Sequence, residues 1–269
     1  MGHGIAQVAA QAGYDTSLCD VSERLVSAGR ERIRANLAKG VELGKVKAPE
    51  AEAALARITT TTALDELAGA DILIEAVPED LEIKRATFTR LQVVCPPQAI
   101  FTTNTSSLSV AAIAENLDDP GRVVGTHFFN PVHVMKLIEV VRHAGSRDEV
   151  VAAAVAMGEA MGKTPIVVRD VPGFATSRLG VVLGLEAMRM LEQGVASAAD
   201  IDTAMKLGYR HPMGPLELTD LVGLDVRLAI ARYLHEQLGS EAFRPPAILE
   251  RMVAEGRLGR KSGGGFYDW

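Results

Sequence analysis

Through the first 170 positions, short apolar runs alternate with stretches in which apolar residues recur every three or four positions. The runs are TSLCD, RITTTT, ADILIEAV, AIFTT, RVVGTHF, KLIEVV and TPIVVR, and their length and β-branched content read as strands. The helical stretches begin with an Ala-rich segment from Gly2 that Gly13 closes. Ser22 opens the next, with Leu25, Ile33, Leu37 and Val41 at helical spacing, and Pro49 opens a short one through Leu55. Further helices are predicted from about Glu79 to Leu91, after Ser109, and from about Asp148 to Met161. DILIEAV is apolar throughout, as expected for a strand covered on both faces of a parallel sheet. The alternation predicts an α/β doubly wound, mostly parallel sheet.

The texture changes at DVPGF, where Pro172 and Gly173 mark a break. Beyond it the pattern is helical throughout. The longest helix is predicted over Thr176–Glu192, with Leu179, Val182, Leu183, Glu186, Met190 and Leu191 marking its faces. Its apolar content exceeds one face, so an all-α bundle is expected that buries surface against a second copy of itself. Two domains follow, 1–170 and 171–269.

Composition changes this picture mainly by exclusion. The 269 residues carry a net charge of −6 and no long basic run, which offers neither nucleic acid nor an anionic membrane a footprint. Cys19 and Cys95 lack metal-ligand spacing and make no disulfide framework, and no cluster suggests a metal. With no basic leader and no apolar run near ~20 residues, a soluble, cytoplasmic protein is expected.

The opening MGHGIAQVAAQAGYDTSLCD carries the first chemical signal. In a dinucleotide-binding unit, a strand ends in Gly-x-Gly-x-x-Gly at a helix N-terminus, and an acid about 20 residues on meets the ribose hydroxyls. Gly2 fits the third glycine, and Asp20 closes the following strand, where its carboxylate would favour NAD over NADP. Taken alone, the fragment reads equally as a Gly-capped helix followed by any strand.

Six further motifs stand in order: EAVPEDLEIK, TTNTSSLSV, GTHFFNPVHVMKLIEVV, DVPGF, GYRHPMGPLELTDLVGLD and GRKSGGGFYDW. With them the chain resembles the 3-hydroxyacyl-CoA dehydrogenase family over essentially its whole length, most strongly the bacterial members acting on short acyl chains. The resemblance implies a Rossmann-type domain with NAD as cofactor, then a helical domain for substrate binding and dimerisation. Family members begin VIGAGTMGxGIAQ, so this chain starts inside the motif. The natural polypeptide is expected to begin upstream of Met1, with about a dozen more residues carrying a central strand and two glycines.

Oxidising a secondary alcohol needs a base for the hydroxyl proton and a hydride acceptor, and nicotinamide supplies only the second. His127 ends a strand, and Glu139 follows 12 residues later, after a reversal at Asn130–Pro131. If the two strands lie side by side, Glu139 faces back to orient the imidazole. The resemblance implies that His127 and Glu139 form the catalytic pair, that Ser106 bonds the substrate oxygen, and that Asn130 orients the reacting groups and contacts cofactor. It also brings Glu79 and Lys84 to the nicotinamide-ribose region and Lys261 to the nucleotide. Lys39, Lys45 and Lys47 are candidates for coenzyme A phosphates and equally ordinary surface lysines, while His211 reads as a turn or interface residue. Many members carry Asn where this chain has Ser177, which is expected to alter substrate preference rather than reaction type. The expected reaction is oxidation of a short (S)-3-hydroxyacyl-CoA; the alternatives are a free 3-hydroxy acid or sugar acid as substrate, and a non-catalytic oligomer.

Overall fold

The computed structural model describes all residues 1–269. The chain divides into two compact units, Met1–Val171 and Pro172–Trp269. In the first, α1 (Gly2–Gln11) leads to β1 (Thr16–Cys19), α2 (Glu23–Glu42), α3 (Ala48–Ala56), β2 (Ile58–Thr61) and β3 (Ile72–Glu75). It continues through α4 (Leu81–Val94), β4 (Ile100–Thr103), α5 (Val110–Ala114), β5 (Val123–Phe128), β6 (Leu137–Arg142), α6 (Asp148–Ala160) and β7 (Thr164–Arg169). Capping follows the sequence: the Ser22, Asp80 and Ser109 side chains accept the Leu25, Ile83 and Ala112 amides at the starts of α2, α4 and α5.

All strand pairings are parallel except that of β5 with β6, which run antiparallel. The strands form two sheets, β1–β2 and β3–β4–β5–β6–β7. Neither β1 nor β3 has a partner on its second side, and α1 spans the division. Its Ile5, Val8 and Ala9 pack with Phe128 and Ile138 of the larger sheet, while Ala6 and Ala10 pack with Ile33 and Leu37 of α2 and with Ile58 of β2. Within β3, Leu73 and Glu75 are buried and Ile72 and Ile74 half-buried. The two isoleucines pack partially against the α1 cluster, at the open edge of the sheet.

The β5–β6 pair sets the register of the site, with His127 opposite Glu139 and Gly125 opposite Val141. A Cβ on Gly125 would lie 2.7 Å from Val141 Cβ and 3.1 Å from Val110 Cγ2. Only glycine lets β5 sit this close to β6 and α5. Gly125→Ala is therefore expected to cost about 1–3 kcal/mol of stability through overpacking; urea denaturation showing an unchanged midpoint would contradict this.

The second unit is helical: α7 (Thr176–Glu192), α8 (Ala198–Thr203), α9 (Pro215–Val222), α10 (Leu224–Leu238) and α11 (Ala247–Ala254). The expected span of α7 agrees, and its apolar residues occupy more than one face, with Val182, Met190 and Leu191 packed against the core. Val181, Leu185 and Met188 enter the core with Leu216, Leu224, Leu234 and Leu249, while Leu179 and Leu183 stay exposed. The apolar stripe was broad enough to admit either face, and the neighbouring helices select one.

A buried carboxylate ties down the C-terminal tail. Asp220 on α9 accepts hydrogen bonds from Phe266 N, Tyr267 N and Trp269 Nε1, each at 2.9 Å. Asp202 accepts the first-turn amides Leu216 N and Glu217 N of α9 and the Tyr267 hydroxyl. Burial, then the bond to Asp202, pushes the Tyr267 phenol well above its ordinary pKa.

Candidate active site

His127 lies at the C-terminal end of β5, and its Nδ1 stands 2.7 Å from Oε2 of Glu139. Glu139 is fully buried and His127 nearly so, and Phe129 packs on the imidazole with ring centroids 4.4 Å apart. An ionised carboxylate only accepts, so Nδ1 carries the proton and Nε2 becomes the basic nitrogen. This arrangement is a histidine held in one tautomer by a dehydrated carboxylate.

The loop after β4 is bonded to the same end of the sheet. Asn104 Oδ1 accepts from Phe128 N, the amide next to His127, while Asn104 N donates to Glu75 O. Thr105 Oγ1 accepts from Leu108 N, which turns the chain toward α5. Across β6 and β7, the Asp170 carboxylate accepts from Ser109 Oγ, Val110 N and Ala111 N and so anchors the start of α5.

Glu79 grips this loop from outside. Its Oε1 accepts from Thr105 Oγ1 at 2.6 Å, Ser106 N at 2.9 Å, Ser106 Oγ at 3.2 Å and Ser107 N at 3.3 Å. Burial would push its carboxyl up, but the Thr105 hydroxyl, the Lys84 ammonium and the Ser106 amide outweigh that and hold it below the ordinary carboxylate value. A carboxylate depressed in the folded state stabilises fully above its unfolded pKa, here 4.5, and loses that contribution as pH falls through the lower folded value. Accordingly, the grip on Ser106 is expected to be complete at neutral pH and to loosen only below pH 4.5. Amide exchange of Ser106 and Ser107 that loosened already between pH 7 and 5 would refute this.

Two sequence-based placements need correction. Glu79 precedes α4 rather than lying on it, because Asp80 caps that helix. Lys84 is 1% exposed instead of facing a ligand. Its ammonium is committed to both oxygens of Glu75, at 2.8 and 3.1 Å, and to Glu79 Oε2 at 3.3 Å. Glu75 was not singled out from the sequence, although an acid inside an otherwise apolar strand run was the signal available.

Asn130 is exposed and joined to Pro131 by a cis peptide, two residues beyond Phe128. Lys39 is exposed and paired with Glu42, and Lys45 is exposed. In the second unit, Ser177 occupies the first turn of α7. Lys261 does not extend freely, because Asp225 on α10 binds its ammonium at 2.5 and 2.6 Å. That bond, foremost, holds the Asp225 carboxyl below its ordinary value.

In the first unit, α1 begins at Gly2, where a Cβ would approach Ala76 at 3.9 Å. Asp20 follows β1 with an exposed carboxylate that accepts only its neighbour's amide, Val21 N. The glycine start of α1 and an acid at the end of the next strand suit a pyrophosphate and a ribose diol. Gly2, Asp20 and the Glu79 loop are the groups that would hold a dinucleotide.

Residues 1–171 match the NAD-binding domain of 3-hydroxyacyl-CoA dehydrogenase, and residues 173–269 match its C-terminal domain. The chain belongs to the 3-hydroxyacyl-CoA dehydrogenase family. It is 44% identical over 269 residues to a probable 3-hydroxybutyryl-CoA dehydrogenase of Bacillus subtilis, covering 100% of this chain and 94% of the relative. A 3-hydroxybutyryl-CoA dehydrogenase of Bradyrhizobium diazoefficiens is 42% identical, with 100% and 92% covered. Among solved structures, (S)-3-hydroxybutyryl-CoA dehydrogenase from Ralstonia eutropha superposes with a TM-score of 0.97 at 37% identity, covering 100% of this chain and 95% of that one. As a member of this family the chain is an NAD-dependent oxidoreductase with a Rossmann-type domain and a helical C-terminal domain.

Proposed function

We propose that this 3-hydroxyacyl-CoA dehydrogenase acts on short acyl chains, oxidising (S)-3-hydroxybutyryl-CoA or a close analogue to the 3-oxoacyl-CoA, and reducing it in reverse. The carrying observation is the 2.7 Å contact between His127 Nδ1 and the buried Glu139 carboxylate. In oxidation, His127 Nε2 takes the C3 hydroxyl proton, and Glu139 stabilises the imidazolium that forms. Bound NAD supplies the hydride acceptor. In reduction, His127 returns the proton to the ketone oxygen. Ser106 hydrogen-bonds the substrate oxygen, and Asn130 orients the reacting groups. Lys39 and Lys45 offer cations to coenzyme A phosphates, and Ser177 contacts the acyl portion.

NADH consumption with acetoacetyl-CoA, beside an acetoacetate control, tests this reading. Turnover of the CoA ester alone is expected; equal turnover of acetoacetate would move the substrate to free acids. NADH binding without either turnover would remove the substrate assignment.

The helical unit is proposed to form a homodimer, in the cytoplasm. Supporting this, α7, α9 and α10 expose Leu179, Leu183, Leu221, Val222 and Val226. No helix is long and apolar enough to cross a membrane. Sedimentation should give a dimer that Leu179→Glu/Leu183→Glu converts to a monomer; a wild-type monomer would refute the assignment.

A further inference from the structure

A buried acid stands behind the loop that presents Ser106. Glu75 closes β3 with a side chain that is fully buried, and its groups bind four others. Oε1 accepts from Val77 N at 2.7 Å, Oε2 from Thr103 Oγ1 at 2.6 Å, both oxygens from Lys84 Nζ, and its carbonyl from Asn104 N. Lys84 also reaches Glu79 Oε2, while Glu79 Oε1 holds Thr105, Ser106 and Ser107. Charge alternates along this line: buried anion, buried cation, half-buried anion, then neutral donors.

We propose that Glu75 is a positioning residue for the reaction, acting on Ser106 through Lys84 and Glu79. The proposal rests on the reading of Ser106 as a substrate contact. Its physics is a competition for one ammonium. Removing a lysine from water is costly unless anions surround it, and Glu75 supplies two contacts where Glu79 supplies one longer contact. With Glu75 taking most of the ammonium, Glu79 keeps its second oxygen on the loop amides. Without the Glu75 charge, Lys84 has a single anionic partner and draws Glu79 toward itself, off Ser106. Glu75 bonds none of the loop's serines directly; its backbone bond to Asn104 N does not involve the carboxylate, and the charge that Glu75→Gln removes reaches Ser106 and Ser107 by way of Lys84 and Glu79.

That last property gives a test independent of simple destabilisation. Glu75→Gln keeps the side chain's shape and should lower kcat roughly 10- to 100-fold, the scale of a small misplacement in a site. Glu79→Gln, a change at a half-exposed side chain, should lower kcat similarly. In the Glu79→Gln background, Glu75→Gln should then change kcat less than threefold. A structural role alone would make the two losses multiply, and that result overturns the proposal, as does an unchanged kcat in either single variant. Hydrogen exchange supplies an arm that needs no turnover. Glu75→Gln should speed exchange at Ser106 and Ser107 at least tenfold while Phe101 and Thr102 within β4 stay protected. Unchanged exchange at the serines, or equal loss of protection across β4, refutes the chain of contacts even if acetoacetyl-CoA proves not to be the substrate.

Discussion

Replacing His127 by glutamine is expected to lower kcat with acetoacetyl-CoA about 10²- to 10⁴-fold, the contribution of a well-placed acid or base. Glutamine fills the site and can still bond Glu139, so NADH affinity should stay within threefold. Glu139→Gln should approach the same loss by another route. Its amide can present N–H to Nδ1, which favours the tautomer whose basic nitrogen faces inward. Combining the two should cost little more than His127→Gln alone, because both act on one imidazole. Steady-state kinetics beside fluorescence titration of NADH separates the outcomes. A His127→Gln enzyme within threefold of wild type would remove the dyad from the mechanism.

The largest expected effect on stability lies in the helical unit. Asp220→Ala strands two half-buried backbone amides and the indole N–H of an exposed tryptophan that now share one carboxylate. At about 1–3 kcal/mol for each unsatisfied donor, offset in part by entering water, the loss is on the order of 3 kcal/mol. The tail is too close for a repacked neighbour to compensate, since a Cβ on Gly265 would lie 2.1 Å from Asp220 Oδ1. Urea denaturation should show the drop, and trypsin should cut sooner after Arg260 or Lys261 in native conditions. A wild-type midpoint with a wild-type cleavage rate would mean that the aromatic packing of Phe266 and Tyr267 holds the tail without the carboxylate.

Much of this was legible in sequence because it is local. The bounds of α7 follow from one uninterrupted period, and Ser22 and Ser109 announce the helices that they cap. The pairing of His127 with Glu139 was legible only in part: the Asn130–Pro131 reversal makes adjacent strands plausible, but a strand-end histidine also reads as one satisfied by backbone, and the family resemblance decided between them. The Glu75–Lys84–Glu79 line was not legible. Its members come from a strand, a helix and the turn between them, and a lysine on an amphipathic helix reads as solvated until the packing decides which face turns inward. The same limit applies to α7, whose apolar residues exceed one face: periodicity does not say which of them meet the neighbouring helices, and these take Val181, Leu185 and Met188 while Leu179 and Leu183 stay exposed.

The opposition of His127 and Glu139 in the β5–β6 ladder makes the dyad a reporter of strand register. A slip of one residue would turn one of the two side chains to the other face of the sheet, so the pair is either whole or absent, with no partly assembled state between. Activity then reads out whether these two strands have zipped together correctly.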